Sequence, residues 1–191
     1  MLQLAQLPDA DSLLERDPLA LLIGMLLDQQ IPMEKAFAGP WVLAERMGVE
    51  WLDAADIADH EPETFVKMFV GPPAIHRFPG AMAARVQDLA RRIVSDYGGR
   101  ADAVWDDARS GDELLSRLAA LPGFGTQKAR IFVALLGKQR VVQPNGWREA
   151  AGSYGDEGSF RSVADVTGPE SLQKVRAFKK EMKAQARPNA S

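Results

Sequence analysis

The chain contains no cysteine, and that absence removes several kinds of chemistry. Without thiols there is no disulfide framework, no thiolate zinc site and no cysteine-ligated iron–sulfur cluster. Histidine is almost as scarce, with His60 and His76 alone, too few for a histidine-rich metal centre. Long apolar runs are missing as well. The most hydrophobic stretch, Leu19–Leu27, is far shorter than the roughly 20 residues a membrane helix needs. The N-terminus has no basic region and is broken by Pro8, which does not fit a secretory signal. The expectation is a cytoplasmic protein without a membrane partner, nucleoid-associated if the source is bacterial. Strand-like alternation is nearly absent too, occurring only briefly around Arg140–Val142.

What is present reads as helix. At 191 residues and 46% hydrophobic, the chain can bury a real core as a single compact unit, 1–191. Asp17-Pro18 is an N-cap followed by proline at the first helical position, opening an all-round apolar helix that ends near Asp28-Gln29-Gln30. Further helices are expected over Met33–Met47, Trp51–Ala58, Glu61–Phe69 and Gly80–Tyr97, with Gly71-Pro72-Pro73 as a breaker. The fold class is therefore all-α, a multi-helix bundle with its core over 18–137. Residues 138–191 form a loop region followed by a helical tail carrying Lys174, Arg176, Lys179, Lys180, Lys183 and Arg187. That tail is either a solvated terminal helix or one that docks its basic face on a polyanion.

Charge is unevenly spread. The net charge is −3, yet residues 1–70 carry thirteen acidic against four basic side chains, and residues 121–191 carry six against twelve. Such polarity can give an acidic protein one basic face, and the face rather than the sum attracts phosphates.

The stretch Ser110–Gly137 combines these trends. Ser110 and Glu113 have capping-box spacing, and Leu114, Leu115, Leu118 and Ala119 recur at helical intervals. Pro122 stops that helix, while Gly123 and Gly125 allow a tight turn through Leu121-Pro122-Gly123-Phe124-Gly125. A second helix starts at Thr126, Gln127 and Lys128 with unpaired N–H groups, a ready site for an anion such as phosphate. A plain turn within a helical bundle has the same pattern, so the stretch alone leaves both readings open.

Leu-Pro-Gly-Phe-Gly-Thr-Gln-Lys-Ala after a short apolar helix resembles the helix-hairpin-helix of DNA glycosylases related to endonuclease III. The run Leu21–Gln30, ending Asp28-Gln29-Gln30, resembles the early helix of the same enzymes, and about ninety residues separate it from the turn. The resemblance spans about residues 18–150. It implies a DNA-glycosylase-like fold that binds double-stranded DNA through Gly123, Gly125, Thr126, Gln127 and Lys128. Gln30 would fill the gap left by a flipped, damaged base, its amide pairing with the orphaned partner. It also implies a sodium or potassium ion on the carbonyls of Ala119, Leu121 and Phe124, with no other cofactor required.

The sequence departs from the family at both catalytic positions. The family's aspartate, near the positive charge that develops on the sugar, corresponds to Asn145, twenty residues past Gly125. The nucleophilic lysine of the lyase branch corresponds to Gln127, with Lys128 rotated about 100° around the helix. The expectation is base-excision repair by a hydrolase of N-glycosyl bonds without lyase activity. The alternative is a catalytically silent DNA-binding or damage-sensing protein, and a third reading keeps the fold for protein contacts. If there is chemistry, Asp28 is the first substitute carboxylate and Glu149 the next. Otherwise the substrate carries an intrinsically labile glycosidic bond, or Asn145-Gly146 deamidates to supply the acid. Trp41, Trp51, Trp105 and Trp147 read as core or interface residues, with Trp147 the one nearest the catalytic position. His76-Arg77 is either a phosphate contact or a capped turn. Gly152–Gly158 carries Asp156 and Glu157, which repel phosphate.

Overall fold

The computed structural model describes residues 1–186, so Arg187 of the basic tail lies outside the described residues. It is all-helical, with ten α-helices and no strand among the described residues. In chain order they are α1 (Pro8–Arg16), α2 (Pro18–Leu27), α3 (Met33–Met47), α4 (Ala54–Asp59), α5 (Pro62–Val70), α6 (Pro79–Tyr97), α7 (Gly111–Ala119), α8 (Thr126–Gln139), α9 (Trp147–Ala151) and α10 (Pro169–Gln185). Three single turns of 3₁₀ helix sit at Ala101–Val104, Gly152–Gly155 and Val163–Asp165.

Helix α2 is the axis. Every residue from Leu19 to Leu27 is buried, so it presents no wet face. Its start is fixed by Asp17, whose Oδ1 accepts from the N–H groups of Leu19 (2.9 Å) and Ala20 (3.1 Å). The other oxygen accepts from Leu52 N–H at 2.7 Å, tying the entry to α4 to the same carboxylate. Against α3 the packing is backbone-close. A Cβ on Gly24 would stand 2.7 Å from Phe37 Cδ1, and one on Gly39 would stand 2.7 Å from Leu27 Cδ1. Only glycine permits that approach.

Two groups of helices flank this axis. Helices α4 and α5 pack on α6, whose buried stripe Met82, Val86, Leu89 and Ile93 matches its helical spacing. Helices α7, α8 and α9 pack on one another, with Leu114, Leu118, Phe132 and Trp147 buried among them. Trp147 lies against Gly137, where a Cβ would fall 2.3 Å from its ring. It is a packing residue, as expected, and so is Trp105.

Several local expectations need correction. Helix α4 begins at Ala54 because Asp53 caps it, accepting from Asp56 N–H at 2.9 Å, and Trp51 is left 62% exposed outside it rather than in a core. The capping box is half-formed. Ser110 Oγ accepts from Glu113 N–H, but the Glu113 carboxylate turns to Arg109 and Arg117. Around 140–142 no strand forms, since Arg140 is the C-cap of α8.

The double duty of Asp17 gives a stability prediction. Asp17→Ala removes an N-cap and strands the buried N–H of Leu52, so unfolding free energy should fall by about 2 kcal/mol or more. A urea titration should show a lower midpoint at an unchanged m-value. A loss below about 0.5 kcal/mol would contradict this role.

Candidate functional site

The segment Ala120–Gly125 turns between α7 and α8 and seats on the C-terminus of α2. Gly123 has φ +81°, and a Cβ there would meet Leu26 Cδ1 at 3.0 Å. The conformational need for glycine falls on this residue alone. Gly125 has φ −86° and nothing within 4 Å of where a Cβ would stand. That corrects the sequence expectation that both glycines serve the turn.

Gly125 also caps α8 without a side chain, and no acceptor meets the backbone N–H groups of Thr126, Gln127 or Lys128 among the described residues. Thr126 and Gln127 are exposed. The result is an open row of donors at the positive end of a 14-residue helix. Two of the three turn carbonyls implied for a cation, those of Ala119 and Phe124, accept no backbone bond among the described residues; Leu121 O accepts from Phe124 N–H at 3.1 Å. No group of three or more His, Cys, Asp or Glu suited to a metal occurs among the described residues.

Lys128 does not join that exposed row. Its ammonium turns inward and donates to Leu26 O at 2.9 Å, meeting a carbonyl left without a helical partner at the C-terminus of α2. Burial pushes its pKa down to about 8, against the opposing pull of Asp28.

The same movement brings Lys128 into a cleft of about 470 Å³ together with Asp28, Gln127, Tyr154, Phe178 and Lys179. Met25 and Ile131 supply apolar wall, and Ser153 and Arg161 stand at the side. Two of the sequence-derived catalytic candidates, Asp28 and Gln127, therefore line one cavity. Asp28 is half-buried, and burial raises its pKa despite Lys179 and Lys128 nearby. Gln127 Nε2 donates to Tyr154 Oη at 2.9 Å, which fixes the amide and leaves its oxygen free to accept. The Tyr154 wall is anchored to α8. Lys138 Nζ donates to Asp165 Oδ1 (2.6 Å) and Asp156 O (2.7 Å), and Gln139 Nε2 donates to Ala164 O at 2.8 Å.

Asn145 is not part of this cleft. Its carbonyl accepts from Gly111 N–H at 2.8 Å, and a Cβ on Gly111 would meet Gly146 O at 2.3 Å, so the chain here is bound to the first turn of α7. The Asn145 side chain is exposed, as is Glu149, and neither lines the cavity around Gln127.

Gln30 does not line this cleft; two residues past Asp28, it borders a separate, smaller cavity with Gln29, His76 and Phe78. It is exposed and held in the left-handed region at φ +58°, an uncommon conformation for a residue other than glycine. His76 imposes the turn. Its Nδ1 accepts from Phe78 N–H at 3.0 Å, so Nε2 carries the proton and donates to Gln29 O at 2.9 Å. Burial lowers the His76 pKa, in keeping with a neutral ring. Of the two sequence readings of His76, the capped turn is the one observed. Gln29 faces inward, donating to Leu26 O at 3.1 Å.

Tyr154, Arg161, Phe178 and Lys179 carry no sequence signal that links them to the turn. Only the basic tail pattern hinted at Lys179, and nothing in its spacing indicated which of its lysines faces inward.

The unequal roles of the two glycines are measurable. Gly123→Ala should cost about 1–2 kcal/mol, from left-handed strain and the Leu26 contact, whereas Gly125→Ala should stay within about 0.5 kcal/mol in denaturant titrations. Equal losses at both would contradict the assignment. No protein-family model, curated protein or solved structure matches the chain.

Proposed function

We propose that this protein binds duplex DNA and hydrolyses the bond between a displaced base and its sugar, as a monofunctional DNA N-glycosylase of the helix-hairpin-helix type. One observation carries the reading. Asp28, Gln127 and Lys128 meet in a single cleft at the bare N-terminus of α8. The turn Gly123–Thr126 would take a backbone phosphate on its free N–H groups. Gln30 would occupy the stack vacated by the base. A sodium or potassium ion on the carbonyls of Ala119, Leu121 and Phe124 would add positive charge beside that phosphate.

In this reading Asp28 replaces the carboxylate missing at position 145. As the C1′–N bond breaks, the electron pair leaves with the base, and the Lys128 ammonium stabilises the negative charge that develops there. The Asp28 carboxylate stabilises the oxocarbenium-like sugar and accepts a proton from the attacking water, which then passes to the departing base nitrogen. Sugar gains hydroxyl, base gains hydrogen, and no strand is cut. The Gln127 amide, fixed by Tyr154, reads the base edge.

The pH dependence has two limbs. Protonation of Asp28 removes activity on the acid side, with a midpoint above the usual carboxylate range. Loss of the Lys128 charge removes it on the alkaline side near pH 8.

Free-base release from a panel of damaged duplexes tests this. Asp28→Asn should lower the rate by at least about a hundredfold, while Asn145→Ala should change it less than about threefold. No release from any lesion, with tight abasic-site binding retained, would leave the silent damage sensor as the function. The same Asp28→Asn variant should melt at a higher temperature at pH 8. Folding raises the pKa of Asp28, so its contribution favours the fold below the unfolded pKa and is lost as pH rises through the folded one. A melting temperature lowered by Asp28→Asn at pH 8 would contradict this account of the cleft.

A further inference from the structure

Helix α10 lies beyond the part of the chain that resembles the glycosylases, yet Phe178 and Lys179 from it line the cleft with Asp28. Its attachment is uneven. The buried residues of α10 are Ser171, Leu172 and Val175, all in its first half. From Arg176 to Ala186 only Phe178 is even half-buried.

Two contacts hold that outer half. Arg176 donates to Glu34 Oε1 on α3, and the Arg161 guanidinium lies 5.5 Å from the Phe178 ring centroid. Glu34 Oε2 is buried and meets no donor among the described residues. A buried carboxylate oxygen without a partner is costly, so the Arg176–Glu34 contact is one bond short of satisfied.

Three cationic side chains line the cleft with Asp28, namely Lys128 from α8, Lys179 from α10 and Arg161 from the loop before α10, and Glu34 on α3 adds a negative charge nearby. The first is already committed to the Leu26 carbonyl. Lys179 reaches the cavity from the weakly held half of its helix, and it is the group whose position depends on how α10 sits.

We propose that Lys179 is a positioning residue for Asp28, brought to the cleft by α10 and kept there by the clasp between Arg176 and Glu34. This rests on Asp28 being the working carboxylate. Lys179 does not touch the reacting atoms; its charge opposes the upward push that burial gives the Asp28 carboxyl. The clasp couples the closure of α10 to the charge state of that carboxyl.

The test is an NMR titration of the Asp28 side-chain carboxyl in the free full-length protein. Lys179→Met should move the midpoint up by about one pH unit, and Lys179→Arg should leave it within a few tenths. Glu34→Ala discriminates by sign. Deleting a neighbouring negative charge alone lowers the Asp28 midpoint, whereas releasing the clasp and withdrawing Lys179 raises it. A midpoint unmoved in Lys179→Met, or lowered in Glu34→Ala, overturns the proposal. Because the titration needs no DNA, the two readings fail separately. Shifted midpoints with no base released would refute the glycosylase and leave the positioning role standing. An acid limb of base release that follows the same shifts supports both.

Discussion

The contact on which the site depends is the seating of the Ala120–Gly125 turn on Leu26. Gly123 presses against the Leu26 side chain, and Lys128 donates to its carbonyl at 2.9 Å. These two contacts join elements about a hundred residues apart in the chain. They put the C-terminus of the fully buried α2 next to the exposed first turn of α8. A carboxylate, Asp28, and a row of unpaired N–H groups come together as a result. Loop-closure entropy makes such a long-range contact expensive to form, and the buried apolar length of α2 offsets that cost.

The electrostatics of the cleft are those of a site kept against stability. Asp28 and Lys128 are both pushed toward their neutral forms by burial, and each pulls the other back toward charge. Neither shift alone would identify a functional group, since structural ion pairs also perturb titration. The contrast with Lys138 and Asp165 is instructive. That buried pair closes at 2.6 Å, with further bonds to Asp156 O and the backbone of Arg161 and Ser162, and it fastens a wall. Asp28 makes no such bond and faces open cavity.

Much of the fold is legible in the sequence because its signals are local. Asp17-Pro18 starts α2, Gly48 and Gly98 end α3 and α6 in the left-handed region, and the period of α6 marks its buried face. The site was legible only in part. Asp28 and Gln127 could be named from their places on two helices. Asn145 matches by counting, yet its backbone is drawn to α7 by the Gly111 bond, which no count reveals. The direction of Lys128 depended on a carbonyl without a backbone partner at the end of another helix. Glycine at 125 looked like turn chemistry, but among the described residues open space surrounds the place of a Cβ, so the turn does not require it. His76, Tyr154 and Lys179 are reached through tertiary contacts that have no periodic signature.

On this account Gln30 and the turn through Thr126 both meet DNA, and the loop at Asn145 does not. The most direct test is amide chemical-shift mapping as a duplex with an abasic-site analogue is added. The account predicts the largest changes at residues 28–30 and 123–128, reduced by added salt, with residues 143–149 little affected. Changes centred on 143–149, with the 28–30 turn and the start of α8 unmoved, would contradict it.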